Sequence, residues 1–255
     1  MKPEISFLIA TRNRGRIIGE TIDSLIAQEN ENWEAIIVDD HGSDDTEKII
    51  AGYNDSRLKY FRLPDSHGMG ACCARNFAAA EARADIVAII DSDDIAYPNR
   101  VDVTLEAFKK NPSSDVFYAH IDIWEEETGI VRERKLPFTP FDLEKLKKDN
   151  FIPHSTVAMK RLVLLNNPYN SFFRLAEDYE LTTRLAESGK KFCYSREKIL
   201  KYRVSREGVS VGVDKKEILK NYSLLIQMLR GWIKYDYQVI EKINQLEKAR
   251  ENGKN

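Results

Sequence analysis

Short apolar runs alternate with amphipathic stretches over the first hundred positions of the chain. Ile5-Ser6-Phe7-Leu8-Ile9-Ala10, Glu34-Ala35-Ile36-Ile37-Val38 and Asp85-Ile86-Val87-Ala88-Ile89-Ile90 are compact and largely β-branched. Such runs fit strands buried on both faces of a parallel sheet. A further strand is predicted at residues 58–63. Between the strands, Ile17, Ile18, Ile22, Leu25 and Ile26 recur at helical spacing, a turn at 41–46 leads into a helix through Tyr53, and residues 71–84 form an alanine-rich helix. Strand and helix in strict alternation predict a doubly wound α/β sheet with helices on both faces.

Beyond Asp94 the pattern changes. Pro98 opens a predicted helix that Asn111-Pro112 ends. Strands are predicted at 115–121 and 130–136, with a short helix at 142–148 and an edge strand at 152–159. A helix starting at Glu177 runs to Gly189, a suitable C-cap, and strands follow at 191–194 and 199–204. This half reads as antiparallel additions to the same sheet. From Asp214 the tail is helical, with Leu219, Tyr222, Ile226, Leu229, Ile233, Ile240 and Ile243 forming a heptad-like stripe. That stripe suits packing on its own domain, or a homodimer contact through the C-terminal helix. The organisation is then one domain over 1–210, divided into a nucleotide-binding half (1–100) and an acceptor-side half (101–210), with a helical extension at 211–255.

Composition narrows the partners. The 39 basic residues nearly balance 41 acidic ones, giving a net charge of −2, which argues against a general nucleic-acid binder. No apolar run approaches the roughly 18 residues of a membrane span. Cys72, Cys73 and Cys193 are odd in number and two are adjacent, so neither a disulfide framework nor a spaced zinc site is expected. A reducing, cytoplasmic setting fits, at a membrane surface if a membrane is involved.

Chemistry concentrates where strands end. Thr11–Arg14 follow the first strand, Asp39-Asp40 the second, and Asp91-Ser92-Asp93-Asp94 the fourth. Ligands of open α/β sheets bind beyond the carboxyl ends of the strands. Clustered carboxylates there suit a hard divalent cation, the plain alternative being a solvated acidic turn.

The ordered set resembles the family 2 glycosyltransferases, of the GT-A fold. Its pieces are Ser6-Phe7-Leu8-Ile9-Ala10-Thr11-Arg12-Asn13-Arg14, Ile37-Val38-Asp39-Asp40-His41-Gly42-Ser43-Asp44-Asp45-Thr46, Gly70-Ala71-Cys72-Cys73-Ala74-Arg75-Asn76, Asp91-Ser92-Asp93-Asp94 with Pro98 and Arg100, and Glu177-Asp178. They span about the first 210 residues. The resemblance implies a nucleotide-diphosphate sugar donor, UDP or dTDP type, and Mg²⁺ or Mn²⁺ as cofactor. It places Asp40 on the imide N–H of the base, where an acceptor is needed. Ala10, Thr11 and Arg12 match the loop lining base and ribose, with an arginine where relatives often carry tyrosine. Arg75 matches a donor-side arginine near phosphate, or else a surface ion pair. Asp91 and Asp93 match the DxD motif, Asp93 on the metal, Asp91 with Ser92 near the ribose or the metal's water shell. Asp94 positions sugar or loop.

Asp178 matches the catalytic base of an inverting transfer, its alternative being ordinary first-turn helix charge. The acceptor implied is a cell-surface glycan or a lipid-linked sugar. His154-Ser155 falls in the region framing that acceptor. Tyr202-Arg203-Val204-Ser205-Arg206 lacks the histidine relatives often place there, leaving Arg203 or Arg206 to bind phosphate or the segment to close the site. A sugar-1-phosphate nucleotidyltransferase would carry a glycine-rich, lysine-containing loop after the first strand, whereas residues 10–15 hold one glycine and no lysine. A non-catalytic nucleotide-sugar-binding protein would show a broken acidic motif or no base.

Overall fold

The computed structural model describes residues 2–134, 136, 140–173 and 176–205, and residues 220, 223, 224, 226, 227, 230 and 231. Its first half is built of β1 (Ile5–Thr11), α1 (Ile18–Ile26), β2 (Trp33–Asp39), α2 (Thr46–Ala51), β3 (Leu58–Arg62), α3 (Ala71–Glu81) and β4 (Ile86–Ile89). β1 pairs in parallel with β2 on one side and β4 on the other, and β3 adds in parallel to β2. Thr11 lies opposite Asp39, and Leu8 opposite Ile89, so the carboxyl ends of β1, β2 and β4 stand side by side.

Residue alternation explains the layers. Ile5, Phe7, Ile9, Ala35, Ile37, Ala88 and Ile90 turn to one face and meet Ile18, Ile22 and Leu25 of α1. Leu8, Ile36, Val38, Val87 and Ile89 turn to the other, against Ala74, Ala78 and Ala79 of α3. Small alanines let α3 settle directly on β1 and β2. Each fully buried Ile, Leu or Phe here contributes about 1.5–3 kcal/mol relative to an exposed one.

The second half contains β5 (Ile95–Ala96), α4 (Arg100–Lys110), β6 (Val116–Glu125), β7 (Val131–Arg134), α5 (Leu143–Leu146), β8 (Ala158–Lys160), α6 (Arg161–Asn166), α7 (Glu177–Glu187) and β9 (Phe192–Val204). The described strands form one sheet, in the order β3-β2-β1-β4-β8-β6-β9-β5, with β7 beside β6. Both halves of the chain thus share a single sheet.

Three expectations are corrected. The segment predicted as an edge strand at 152–159 is a 3₁₀ turn, His154–Thr156, followed by β8, which sits centrally between β4 and β6 and runs antiparallel to both. Pro153 has no N–H to give a ladder, and Thr156 Oγ1 takes the amide of Ala119 instead. The second half is not wholly antiparallel, because β6 and β9 pair in parallel. The two strands predicted at 191–194 and 199–204 are one strand, irregular where Ala119 faces Ser195 but His120 faces Lys198. β5 and α6 were not anticipated.

Gly189 takes the left-handed conformation (φ 79°) expected of a helix terminator. Most of the C-terminal stripe, together with Arg206, lies outside the described residues. Ile226 is buried in the α3-side core, and Arg230 pairs with Glu180 and Glu187 of α7. Among the described residues, no helix is long and apolar enough to cross a membrane.

Candidate functional site

Two loops at the carboxyl edge are stapled together. Ser43 N donates to Asn13 Oδ1 at 2.7 Å, Arg14 N to Thr46 Oγ1 at 2.9 Å, and Gly15 N to Asp44 Oδ2 at 2.8 Å. Asp39 and Asp40, adjacent in sequence, do different work. Asp39 accepts from Gly42 N at 2.8 Å and from the Tyr60 hydroxyl at 3.0 Å, and a Cβ on Gly42 would come within 2.6 Å of its carboxylate. It builds the turn. Asp40 is buried beside Thr11, with Arg12 Nη1 3.8 Å and His41 Nδ1 3.2 Å from its oxygens. Thr11 Oγ1 is buried without a partner. His41 Nε2 reaches Asp65 at 2.8 Å, and these hydrogen bonds, that to Asp65 first, raise the imidazole pKa.

The acidic loop after β4 is held from several directions. Asp91 N donates to Ser155 Oγ at 3.1 Å, from the 154–156 turn. Arg203 N donates to Asp94 Oδ1 at 2.9 Å, and Arg203 Nε to the Asp93 carbonyl at 2.7 Å. Arg203 also binds Glu126 and Glu20 and lies over the Trp124 ring, so its guanidinium is almost wholly buried. As placed, it anchors the loop rather than facing a phosphate. Asp94 is fully buried, its Oδ2 without a partner, and burial followed by the charges of Asp93 and Asp91 pushes its carboxyl pKa upward. Near it, Arg100 is fully buried and donates to the Ile89 carbonyl, and burial pulls its pKa down to about 9.

Asp93 and Asp91 are similarly open, with side chains 28% and 30% exposed, and Arg14 Nη2 lies 3.8 Å from Asp93. Burial and the neighbouring Asp91 charge raise its pKa. For Asp91, burial acts upward, but the Arg75 charge and His154 outweigh it and hold the carboxyl well below the usual range.

Arg75 joins this loop to α7. Its Nη2 lies 2.8 Å from Asp91 and its Nη1 2.8 Å from Glu177, in a buried bridge beside the Tyr169 ring. Glu177, Asp178 and Glu180 occupy the first turn of α7, where carboxylates suit the helix dipole. The residue before the helix, Ala176, is left-handed (φ 59°), a conformation that costs a non-glycine residue about 1–2 kcal/mol. Asp178 Oδ2 accepts from Asn150 Nδ2 at 2.9 Å. His154 Nε2 meets the Tyr169 hydroxyl at 2.8 Å, and its Nδ1 stands 3.9 Å from Asp91.

Register therefore gathers Ala10, Thr11, Arg12, Asp40, Asp91, Ser92 and Asp93 at one sheet edge, with Arg75 linking them to the helix of Asp178. Arg75, expected near phosphate, has both terminal nitrogens on carboxylates. Ser155, Arg203 and Asn150 complete the surroundings. Ser155 stands beside a histidine singled out from the sequence, but the roles of all three depend on contacts across at least 28 residues, which no local pattern records.

The donor chemistry fits a hard divalent cation. Asp93 and Asp91 present carboxylate oxygens, the ligand type such a cation takes. Among the described residues no group of three or more His, Cys, Asp or Glu side chains forms a metal cage. A cation here would share its coordination with phosphate and water, as Mg²⁺ commonly does.

The Glycosyl transferase family 2 model matches residues 6–166, more than half of the chain. The UDP-Glc:alpha-D-GlcNAc-diphosphoundecaprenol beta-1,3-glucosyltransferase WfgD of Escherichia coli is 29% identical over 210 residues, covering 81% of this chain and 79% of WfgD. The structure of S. aureus TarS 1-349 in complex with UDP-GlcNAc has a TM-score of 0.68 at 20% identity, over 94% of this chain and 69% of that one. Glucosyl-3-phosphoglycerate synthase from Mycobacterium tuberculosis, in complex with Mn²⁺, UDP and phosphoglyceric acid, has a TM-score of 0.65 at 16% identity, over 92% and 80% of the two chains. At such identities the two structures share this chain's fold, which is GT-A.

Proposed function

This chain belongs to glycosyl transferase family 2, and we propose that it is a metal-dependent, inverting enzyme using a UDP- or dTDP-linked sugar. The acceptor is a hydroxyl of a cell-surface glycan or of a lipid-linked sugar. One arrangement carries this reading: the carboxylates after β2 and β4 stand at one sheet edge, and Arg75 ties Asp91 to the residue before Asp178. WfgD is named for a UDP-Glc donor and a diphosphoundecaprenol-linked acceptor, and the mycobacterial synthase was solved with UDP and Mn²⁺. WfgD supports this class of donor and acceptor here, and the synthase supports a UDP-type donor with a divalent metal. A lipid-linked acceptor would place the work at the cytoplasmic face of a membrane, with the chain as a peripheral partner.

In this reading Asp40 accepts the imide N–H of uracil or thymine, and Ala10, Thr11 and Arg12 line base and ribose. Ser92 and Asp91 border the ribose, and Asp93 with Asp91 would hold Mg²⁺ or Mn²⁺. The cation, when bound, neutralises charge growing on the departing diphosphate. Arg75 keeps Asp91 and Glu177 in place on the donor side. Asp178 takes the proton of the acceptor hydroxyl as that oxygen bonds to the anomeric carbon. The bond from this carbon to the diphosphate oxygen breaks, and its electron pair leaves with the nucleotide. Attack opposite the leaving group inverts the configuration.

Thermal melting with UDP, dTDP, GDP, CDP and ADP, each with and without Mn²⁺, tests the donor site. A rise confined to UDP or dTDP and dependent on metal is expected, and Asp93→Ala should abolish it. Unchanged metal-dependent UDP binding in Asp93→Ala would remove the metal from Asp93.

A further inference from the structure

We propose that Asn150 is the positioning residue of the general base, an inference that rests on the assignment of Asp178 above. The torsion that turns a carboxylate about its own axis is broad, so an aspartate in an open first turn samples many orientations. Asn150 Nδ2 donates to Asp178 Oδ2 at 2.9 Å. That bond fixes the carboxylate plane and leaves Oδ1 for the proton of the acceptor hydroxyl. The amide orientation follows from the same contact, because its reverse would set two oxygens against each other. Asn150 Oδ1 is buried without a partner, so it is not the oxygen that holds the amide in place.

The donor is itself held firmly. Asn150 lies between buried Leu146 and buried Phe151 and Ile152. The Tyr179 hydroxyl donates to the carbonyls of Leu146 and Lys147 at 2.9 and 3.1 Å. Since Tyr179 follows Asp178, the helix carrying the base also grips the segment that orients it. Asp142 caps α5 by accepting from Lys145 N at 3.2 Å, and Phe141 packs on Phe151 and stacks on Phe192. Asn150 therefore sits on a braced platform.

The charged groups nearby have other partners. On α7, Glu177 is bound by Arg75, and Glu180 by Arg184 and Arg230. On α5 and just beyond it, Lys145 pairs with Asp142 and Lys147 with Glu144, while Lys148 and Asp149 face solvent. The contact to Asp178 from this segment is thus a neutral amide. A neutral donor orients the carboxylate without neutralising its charge.

The test is the pH dependence of kcat and kcat/KM for the wild type, Asn150→Ala, Asn150→Asp and Asp178→Asn, with UDP affinity measured in parallel by calorimetry. Asn150→Ala should lower kcat about ten- to a hundredfold, as the base loses its orientation, while UDP affinity stays at the wild-type value. Asn150→Asp, nearly isosteric, should move the acid limb of the pH profile up by about one unit or more, since a second carboxylate opposes ionisation of the first. Wild-type kcat in Asn150→Ala with a wild-type pH profile in Asn150→Asp, while Asp178→Asn is inactive, would overturn the positioning role and leave the base in place. Full turnover by Asp178→Asn would overturn the base assignment itself, and this inference with it.

Discussion

Adjacent carboxylates in this chain have different fates. Asp39 is spent on a turn amide and the Tyr60 hydroxyl, while Asp40 sits beside the loop after β1. The two should separate cleanly on substitution. Asp39→Asn should cost about 1–3 kcal/mol of stability, because a buried acceptor of two hydrogen bonds is replaced by a poorer one. Melting reads that loss. Asp40→Asn should leave the melting temperature near wild type and weaken UDP binding at least tenfold, measured by calorimetry. Equal effects in both variants would erase the distinction. Beyond the family resemblance, nothing in Val38-Asp39-Asp40-His41 tells the two apart, since the deciding partners, Gly42 and Tyr60, are contacts made by the fold. Asp178, the proposed base, is singled out only through the family resemblance of the Glu177-Asp178 pair, and nothing in the sequence marks Asn150.

Among elements, those with a clear period were readable. β1, β2 and β4 announce themselves as apolar runs, and α1 as a stripe of isoleucines. β8 was misplaced because three residues carry no period, and because side chains of the preceding turn replace backbone pairing. The parallel course of β9 was hidden by the bulge that splits its pattern. The β1–β2 junction offers a test of electrostatics at this scale. Glu34 is buried on β2, accepting from Ser6 Oγ at 2.7 Å and from Arg83 N and Nε. Burial acts to raise its pKa, but the Ser6 and Arg83 contacts win and lower it. A carboxylate with a lowered folded pKa stabilises the fold above its unfolded value, and that stability is lost as pH falls through the folded value. Glu34→Gln should therefore melt lower at pH 7, with the gap to wild type closing as pH falls below about 4.3. Denaturant unfolding at pH 7, 5 and 3 checks the sign.

For the molecule as a whole, Arg75 is the cross-brace between the acidic loop after β4 and the first turn of α7. Removing it would leave Asp91 and Glu177 facing a guanidinium-sized space without their cation. Arg75→Leu should cost about 3–5 kcal/mol, the usual penalty for stranding buried charge. Thermal melting reads this, and a wild-type melting temperature would show that the bridge braces nothing. The doubly wound half was readable from its alternation of runs, whereas the way the second half closes the sheet was not, because it depends on β8. That strand has a consequence for how the protein is made. β8 lies between β4 and β6, yet it is synthesised after both. A growing chain therefore holds the edge of β4 bare until residue 160 has left the ribosome. An apolar strand with unpaired amides invites pairing with a neighbouring nascent chain. Translation between residues 89 and 160 is thus an interval in which the β4 edge is open to misassembly.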